Sequence, residues 1–414
     1  MKVVLVHNFY GSEAPSGENA VVDAEAALLR GRGHRLVEFF RHSDEIRGRG
    51  AVGLLEGGLA TPWNPMVRRK LRRLLVEERP DVMHVHNSFP LLSPSVFSAA
   101  AGLGTAVVFT PHNFRLFCSN GLALRDGAPC IRCLEKRSSL PAIRYGCYRQ
   151  SRTATLPLAA MIALHRRLGT WERHVDGFIS LSAFQRDLLL RYGLPAERVA
   201  LKPNFYDPAN DPLPWAARER KVVFVGRLTS EKGAQILVDA WRRWGAEAPR
   251  LEIMGDGPQR ARLEAEIAAS PARERVSFLG QLPFSEAQGR LARARLAIVP
   301  SLCYEGFPMV VREAFAFGVP VLASALGSLG DIVTDGETGR LFPAGDAAAL
   351  QSAASSLWQA PETLERLGDA AACRFRERYT SARGYEDLMA IYDAAIAVRA
   401  DRFLPAGGRL PSAG

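Results

Sequence analysis

The sequence has no apolar run long enough to span a bilayer, no Asp-x-Asp motif and only six cysteines in 414 residues. A chain without a stretch of about 20 apolar residues is not predicted to cross a membrane. The apolar part of the opening segment, MKVVLVHNFYGSE, is too short for a secretory signal and fits a β-strand better. So few cysteines fit a reducing cytosol more than a disulfide scaffold. The sequence therefore predicts a cytoplasmic globular protein.

Acidic residues are fewer than basic ones, and the deficit is confined to the first half. The chain carries 53 Lys+Arg and 43 Asp+Glu, a net charge of +10. Residues 1–200 hold 27 basic and 17 acidic residues, and the remainder holds 26 of each. A one-sided basic half suggests an anionic partner, such as nucleic acid, a membrane surface or a phosphorylated substrate. An arginine-rich solvated surface without any partner is the alternative.

Short β-branched segments alternate with helical ones through most of the chain. Residues 202–220 interrupt this alternation with four prolines and no periodicity, which is typical of a linker. The alternation predicts an α/β protein with two doubly wound, Rossmann-like domains facing a central cleft, and ligands beyond the carboxyl ends of the strands. The predicted division is residues 1–203 with a cysteine-containing insertion at about 115–150, a linker at 204–220, a second domain at 221–379, a last helix at 380–402, and a disordered tail at 403–414.

An otherwise apolar segment of the second half, YEGFPMVVREAFAFGVPVLAS, contains two glutamates, Glu305 and Glu313. A carboxylate buried without a partner costs several kcal/mol, so both acids need a polar neighbour. Pro308 suits the first turn of a helix, and the glycine turn before it would leave the helix N-terminus free. Such an N-terminus binds anions. The segment therefore predicts an anionic ligand flanked by the two glutamates.

Positive charge is available close to this predicted helix. Arg227 and Lys232 lie in VGRLTSEKG, directly after the first strand of the second half. Two fixed cations beside a helix N-terminus would hold a diphosphate and stabilise it as a leaving group. Taken alone, the segment indicates only solvated loop cations. Together with the glutamates, it predicts a diphosphate site.

These motifs resemble those of a known family. Glu305 and Glu313 in EGFPMVVREAFAFGVPVLAS, with GRLTSEKG and GDGPQR upstream, are similar to the motifs of retaining glycosyltransferases of GT-B architecture. This large group 1 family includes enzymes of bacterial polysaccharide and lipid-linked glycan assembly. HNFYGSEAPSGENAVV resembles the family's glycine-rich first loop, although Ser16 stands where many relatives have a second glycine, and TPHNF resembles its Thr-x-His motif. The resemblance covers about residues 3–385.

The resemblance implies a nucleotide-sugar donor in the second domain. Arg227 and Lys232 would bind its diphosphate, Glu313 its ribose hydroxyls, and Glu305 would lie near the transferred sugar and the reaction centre. The backbone expected to reach the sugar and the distal phosphate belongs to Gly306, Phe307, Pro308, Met309 and Val310.

The resemblance also implies that the first domain completes the site. His112 would face the donor sugar, and Gly17 would let the first loop approach the phosphates. The charge excess of residues 1–200 separately predicts that the acceptor binds on this side, and the helix at 380–402 is expected to cross back to it. One glutamate near the anomeric carbon would suit a double displacement. The family is usually described instead by attack on the front face, with the leaving diphosphate helping to deprotonate the acceptor; the sequence leaves both mechanisms open.

A metal ion is predicted in the cysteine-containing insertion but not at the diphosphate site. Because Asp-x-Asp does not occur, we expect no metal-bridged diphosphate, with Arg227 and Lys232 in place of the cation. The insertion contains four cysteines with the spacing C-x11-C-x2-C-x13-C, which resembles a four-thiolate structural zinc site. Reduced thiols without metal are the alternative. The four candidate ligands are Cys118, Cys130, Cys133 and Cys147.

Two basic segments of the first half are candidates for membrane contact. Residues 64–81 predict an amphipathic helix whose non-core faces carry Arg68, Arg69, Arg72 and Arg73. Residues 163–174 add His165, Arg166, Arg167 and Trp171, which could lie on the same side. Such helices most often pack one face on a core and solvate the other. Contact with an anionic membrane surface or a lipid diphosphate is the more specific interpretation.

We therefore expect a metal-independent retaining hexosyltransferase. It would move a sugar from a UDP- or GDP-sugar to a glycan acceptor, lipid-linked, in cell-surface polysaccharide synthesis, at the inner face of the cell membrane and without nucleic acid. A GT-B nucleotide-sugar 2-epimerase is the nearest alternative, and a non-catalytic nucleotide-binding scaffold is the alternative of another class. A dinucleotide oxidoreductase fits poorly, because GSEAPSGEN after the first strand is not G-x-G-x-x-G.

Overall fold

The computed structural model describes residues 1–11, 17–48 and 50–403. In this part of the chain, the first half forms a six-stranded sheet with parallel pairs throughout, in the order β2-β1-β3-β4-β7-β8. Its strands, together with a separate antiparallel hairpin of β5 and β6, are β1 (Lys2–Phe9), β2 (Arg35–His42), β3 (Val82–Asn87), β4 (Ala106–Phe109), β5 (Leu124–Arg125), β6 (Ala128–Pro129), β7 (Gly177–Ser180) and β8 (Val199–Leu201). Interior strands such as β3 and β4 are buried over their whole length, as expected for a parallel sheet covered by helices on both faces.

Helices cover the first sheet and build its insertion. They are α1 (Gly17–Gly31), α2 (Asp44–Arg47), α3 (Gly50–Ala60), α4 (Pro65–Glu78), α5 (Arg132–Glu135), α6 (Leu140–Tyr145), α7 (Arg152–Arg167), α8 (Thr170–His174) and α9 (Ala183–Tyr192). Their beginnings follow from local chemistry: the Asn64 side chain accepts a hydrogen bond from the Val67 amide at 3.1 Å, and the Ser182 side chain at the start of α9 accepts one from the Gln185 amide.

The second half forms another parallel six-stranded sheet, in the order β11-β10-β9-β12-β13-β14. Its strands are β9 (Lys221–Val225), β10 (Arg250–Met254), β11 (Val276–Gly280), β12 (Leu296–Val299), β13 (Val321–Ser324) and β14 (Gly339–Phe342). Its helices are α10 (Ala234–Trp244), α11 (Arg260–Ala268), α12 (Phe284–Ala292), α13 (Met309–Ala316), α14 (Ser328–Ile332), α15 (Ala347–Trp358) and α16 (Pro361–Arg378). The predicted α/β fold with two Rossmann-like domains is confirmed.

The last helix, α17 (Ser381–Phe403), returns to the first domain as expected. Its Tyr392 hydroxyl lies 2.8 Å from Nδ1 of His84 on β3, and Arg399 donates to the carbonyl of Leu103 at 3.1 Å. Arg402 pairs with the fully buried Asp176 at 2.9 Å. Of the tail predicted to be disordered at 403–414, Phe403 ends this helix and the rest lies outside the described residues.

The basic face predicted for residues 64–81 is divided between two roles. Arg68 and Arg72 are not free: Arg68 donates to the Ser98 hydroxyl at 2.7 Å, and Arg72 donates to the Ala99 carbonyl at 3.0 Å. These contacts satisfy the end of a 3-10 helix at Pro94–Ala100. The basic side chains that remain exposed on α4 are Arg69, Lys70 and Arg73.

The second segment considered for membrane contact is not built as expected. His165 is fully buried, with Nδ1 2.8 Å from the Thr170 hydroxyl, and Trp171 packs in the core. Arg166 stacks on the Tyr192 ring. Residues 163–174 therefore do not form an amphipathic surface, because two of their large side chains complete the first domain. None of the helices that the structure describes is both long enough and apolar enough to cross a bilayer.

Candidate active site

The order of the second sheet places two loops side by side. The order reverses between β9 and β12, and ligands of doubly wound folds bind in the crevice at such a reversal. The loop after β9 carries Arg227 and Lys232, and the loop after β12 carries Glu305. Close packing of these loops requires glycine: a Cβ on Gly233, whose φ is +70°, would lie 1.8 Å from the Pro300 carbonyl oxygen.

Lys232 and Glu305 form a close ion pair in this crevice. The Lys232 ammonium lies 2.7 Å and 3.0 Å from the two carboxylate oxygens of Glu305, and the Ser301 hydroxyl donates to the same carboxylate at 2.7 Å. Burial raises the pKa of Glu305, but Lys232 outweighs burial and leaves that pKa below its usual value. Burial lowers the pKa of Lys232, and Glu305 reverses the change. Both side chains are therefore charged.

Arg227 stands at the mouth of the crevice with a more exposed side chain. Its guanidinium pairs with Glu231 at 3.2 Å, and its side chain is 54% exposed compared with 26% for Lys232. Glu231 also accepts a hydrogen bond from Thr229 at 2.7 Å. A diphosphate would meet Lys232 inside the crevice and Arg227 at its rim.

The N-terminus of α13 points toward the first domain. Pro308 is its N-cap and supplies no side-chain cap, so the first amides of the helix are available to a ligand. A Cβ built on Gly17, the first residue of α1, would lie 3.2 Å from Cγ of Met309. The Asn204 amide lies 3.6 Å from the Met309 sulfur. The beginnings of α1 and α13 therefore face each other across the cleft. Ser16 lies outside the described residues.

Glu313 is more enclosed than its predicted role suggested. Its residue is only 7% exposed, and one carboxylate oxygen accepts a hydrogen bond from the Gln288 amide at 2.9 Å. Burial raises the pKa of Glu313 even though Arg312 and Gln288 act in the opposite direction. Tyr206, in the predicted linker, donates to the other end of Gln288 at 2.9 Å. Tyr206 of the predicted linker thus orients the Gln288 amide, which in turn orients the Glu313 carboxylate.

His112 lies where the two domains touch. A Cβ on Gly306 would lie 2.7 Å from the carbonyl oxygen of His112, so glycine allows these backbones to meet. Beside this contact, Tyr304 packs on Phe184, with ring centroids 4.5 Å apart. His112 and Glu305 are therefore held on opposite sides of one narrow contact, with Gly306 between them.

A pocket opens beside His112 in the first domain. Its lining combines polar and apolar side chains and includes His86, Phe89, Asn113, Arg115, Met161 and Trp171. The Arg115 guanidinium lies 4.1 Å from the centroid of the Phe89 ring. A sugar with an apolar or anionic substituent would match this mixture of surfaces.

Sequence patterns had not singled out the cluster beneath His112. Glu25, His84 and His86 are buried, and their ligand atoms lie within 4.8 Å of one another. Lys202 is paired with Glu25 at 2.9 Å, so this carboxylate already has a cationic partner. The signal available in the sequence was VMHVHN, where polar residues alternate along a buried strand.

The four cysteines of the insertion share one pocket. Cys118, Cys130, Cys133 and Cys147 all line it, and burial, followed by the neighbouring Cys118, raises the pKa of Cys133 to about 11. Among the described residues, however, no three thiols lie within 4.8 Å of one another. The side chains would have to rotate inward to share one metal ion, so the zinc site stays a prediction.

Two family models match the chain, one in each half. The model "Glycosyltransferase Family 4" matches residues 15–210, and the model "Glycosyl transferases group 1" matches residues 208–374. A 2-deoxystreptamine N-acetyl-D-glucosaminyltransferase from Streptomyces fradiae is 28% identical over 362 residues, which cover 86% of this chain and 78% of that protein. A phosphatidyl-myo-inositol mannosyltransferase from Mycobacterium leprae is 25% identical over 400 residues, or 93% and 94% of the two chains.

Solved structures share the fold at lower identity. Sucrose-phosphate synthase from Thermosynechococcus elongatus superposes with a TM-score of 0.69 at 20% identity and covers 96% of this chain and 99% of its own. Anabaena HepE in complex with UDP and glucose has a TM-score of 0.63 at 16% identity, over 95% and 100% of the two chains. These likenesses concern the arrangement of the two domains and the cleft between them.

Proposed function

Because this chain belongs to the GT-B glycosyltransferases of the group 1 family, we propose that it transfers a sugar, with retention of anomeric configuration, from a UDP- or GDP-sugar to a lipid-linked glycan acceptor. The observation that carries this proposal is the charged pair of Lys232 and Glu305 beside the open N-terminus of α13. A fixed ammonium and free helix amides are suited to a diphosphate that gains negative charge as it leaves.

The contacts of Glu305 favour attack from the front face over a double displacement. Both of its carboxylate oxygens contact Lys232, and one also accepts from Ser301. A carboxylate held in this way is a weak nucleophile. In the proposed step, the bond between the anomeric carbon and the diphosphate oxygen breaks with its electron pair going to the diphosphate. The acceptor oxygen bonds to the same face of that carbon, and its proton passes to the leaving diphosphate.

The other predicted donor contacts have proposed roles in the same step. Arg227 at the rim would hold the outer side of the diphosphate, and the backbone of residues 306–310 would reach the distal phosphate and the sugar. Glu313 would bind the ribose with the oxygen that Gln288 leaves free of its own bond. With these cations in place, we propose that the step needs no divalent metal.

The acceptor is proposed to bind in the first domain, beside His112. The lining of the pocket there includes apolar side chains and Arg115, and the net positive charge of the chain lies in the same half. The mannosyltransferase relative is named for an inositol phospholipid, which supports a lipid-bearing acceptor. We propose that Arg69, Lys70 and Arg73 bring this half to the anionic inner face of the cell membrane.

A thermal-shift panel with UDP, GDP, ADP and their sugars tests the donor. A ligand at a hundred times its dissociation constant stabilises a protein by about 2.7 kcal/mol, so the right nucleotide is recognised by its shift in Tm. Proton NMR of the product then reads the anomeric configuration. Transfer should continue after brief treatment with EDTA. Inversion at the anomeric carbon, a strict need for added Mg²⁺ or Mn²⁺, or conversion of the donor without acceptor, as in an epimerase, would each contradict the proposal.

For the insertion, we propose a structural zinc held by Cys118, Cys130, Cys133 and Cys147. All four cysteines line one pocket, and burial together with neighbouring thiols raises the pKa of Cys133 and Cys147. A dication would replace that repulsion with attraction and release the thiol protons. The ion would support the loop structure between β4 and α7 and take no part in transfer.

A further inference from the structure

A buried row of ionisable side chains leads from the interior of the first domain to His112. Glu25, on α1, is 1% exposed, and one of its carboxylate oxygens lies 3.0 Å from Nδ1 of His84 and 3.3 Å from Nε2 of His86. The opposite nitrogen of the His86 ring, Nδ1, lies 3.0 Å from Nε2 of His112. The rings of His86 and His112 stack with centroids 5.3 Å apart.

The carboxylate at the base of this row is fixed from both connections between the domains. Lys202, just before the predicted linker, pairs with the second oxygen of Glu25 at 2.9 Å. Tyr392, on α17, reaches the His84 ring at 2.8 Å, and the other side of that ring meets the Thr110 hydroxyl at 2.8 Å. Although burial raises the pKa of Glu25, Lys202 and the histidines hold it well below the usual value, so the carboxylate is ionised.

An ionised carboxylate dictates where the protons of the row lie. An N–H on Nε2 of His86 is favoured over a lone pair, because Nε2 lies 3.3 Å from the ionised carboxylate, although the two atoms are not aligned as a hydrogen bond. In neutral His86, this leaves Nδ1 as an acceptor. The hydrogen bond between Nδ1 of His86 and Nε2 of His112, 3.0 Å apart, is then donated by Nε2 of His112. His112 is thereby held as the Nε2–H tautomer, with its Nδ1 lone pair available to a ligand.

A purely structural ion pair or a metal site explains this arrangement less well. Glu25 and Lys202 alone would neutralise each other, without histidines linked to a residue in the cleft. A metal ion bound by Glu25, His84 and His86 would have to share the carboxylate with an ammonium 2.9 Å away.

We propose that Glu25 and His86 are positioning residues that fix the tautomer and ring orientation of His112 against the donor sugar. The proposal rests on the proposed function for the part played by His112, because only a sugar-transfer site gives that ring a ligand. Among the described residues, the contacts found for Glu25 and His86 are with Lys202, His84 and His112 rather than with Arg227, Lys232 or Glu313, so their effect should reach kcat and leave donor affinity unchanged.

The tautomer can be read directly in protein labelled with ¹⁵N-histidine, by long-range ¹H–¹⁵N correlation. We expect His112 to carry its proton on Nε2 in the wild-type chain, assigned by the signal lost in His112→Asn. In the double variant Glu25→Gln/Lys202→Met, which leaves no unpaired buried charge, we expect a mixture of tautomers. A proton on Nδ1 in the wild type, or an unchanged His112 signal in the double variant, would overturn the proposal whether or not the chain transfers sugar.

Two replacements of His86 separate positioning from packing. In His86→Asn, the amide occupies the place of Nδ1 and can still bond to His112; in His86→Gln, the amide occupies the place of Nε2 and reaches only toward Glu25. We expect His86→Gln to lose about tenfold to a hundredfold in kcat and His86→Asn to keep most of it, with equal nucleotide affinity and similar melting temperatures. Equal rates in the two variants would contradict the proposal, and absence of transfer by the wild type would instead contradict the proposed function.

Discussion

Lys232 and Glu305 remain charged inside the crevice because each is the other's partner. Neither could be replaced alone without leaving a partly buried charge, which costs more than the pair itself contributes. When a diphosphate enters, Lys232 can bond to phosphate oxygen with one N–H while the others stay on Glu305. In the proposed function, the pair would orient the ammonium before the donor arrives, and the leaving group would meet a preorganised charge.

Replacing Lys232 by alanine should remove most of the turnover. Loss of one preorganised donor to a developing anion costs about 2.7–4 kcal/mol, or roughly a hundredfold to a thousandfold in kcat. Arg227→Ala should act in the same direction, with a smaller loss because that side chain is 54% exposed. The matched control is Arg243→Ala, on the exposed face of α10. Kinetics at saturating donor measure the effect, and near-normal turnover of Lys232→Ala would remove the diphosphate assignment.

Buried neutral histidines make the first domain sensitive to acid. Burial lowers the pKa of His165 to about 4, against a partial opposing effect of the Pro62 carbonyl. Burial also lowers the pKa of His84 to about 4, with His86 adding to the effect. Between about pH 6.5 and 4, these histidines bind protons in the unfolded chain, where their pKa values are near 6.5, but stay neutral in the folded chain. Stability is therefore complete above about pH 6.5 and falls as the pH drops toward 4.

His165→Gln should make the protein less sensitive to acid. Glutamine can still donate to the Pro62 carbonyl, the 2.9 Å contact of Nε2, but it takes up no proton. For His165, the difference between folded and unfolded pKa corresponds to about 3 kcal/mol at most between pH 7 and 4. Urea unfolding at several pH values should show a shallower loss in this variant, whereas His42→Gln, at an exposed position, should follow the wild type. A parallel loss in all three proteins would contradict the prediction.

At the scale of single elements, the basic residues of α4 have two different roles. Arg68 and Arg72 close the end of the neighbouring 3-10 helix, while Arg69, Lys70 and Arg73 remain exposed. Met66 is 70% exposed and Val76 50% exposed on the same helix. A variant that neutralises all arginines of α4 would therefore lose packing as well as membrane contact. Only substitution of the exposed residues Arg69, Lys70 and Arg73 tests membrane contact by itself.

Changing Arg69, Lys70 and Arg73 to glutamine should weaken binding to anionic liposomes. Each basic residue near such a surface contributes about 1 kcal/mol, so the three together change the partition coefficient by about a hundredfold. The control removes equal charge from the second domain through Arg243, Arg262 and Arg273, all exposed. Liposome sedimentation at low and high salt measures the difference. If the α4 variant sediments like the wild type, the basic face is only solvated.

The cysteine insertion should hold about one zinc per chain. Elemental analysis of protein purified without a histidine tag gives the metal content, and Cys133→Ser should lower both the zinc content and the melting temperature. Cys373→Ser, at an exposed cysteine outside the insertion, should change neither. Metal-free protein whose insertion thiols all react with a thiol reagent at once would establish the alternative of reduced cysteines.

At the scale of the whole molecule, two connections join the domains, and one contacts Glu25 while the other contacts its neighbour His84. Lys202 precedes the polypeptide that enters the second domain, and Tyr392 lies on the helix that returns from it. Movement of one domain against the other would therefore shift the buried side chains that lead from Glu25 to His112. Closure of the cleft during turnover, which stays a prediction, would act on the same residues.

Local patterns were sufficient for the fold and for choosing the loops of the candidate site. The run of β-branched strands gave the two sheets, and the pair of glutamates with VGRLTSEKG identified the loops at the reversal of the second sheet. Burial of Glu313 against Gln288 and the contacts of Glu25 with His86 and Lys202 join residues far apart in the chain. No periodicity or spacing encodes such contacts, and a lone Lys in a proline-rich linker is ordinarily read as solvated.

The central claim is that the donor diphosphate lies between Lys232 and the N-terminus of α13. A crystal structure with the nucleoside diphosphate that gives the largest thermal shift tests it most directly. The account predicts a terminal phosphate bonded to the Lys232 ammonium and to backbone amides within residues 306–310, with Arg227 at the outer phosphate and the ribose on Glu313. A nucleotide bound elsewhere, or a diphosphate that touches neither Lys232 nor α13, would contradict it.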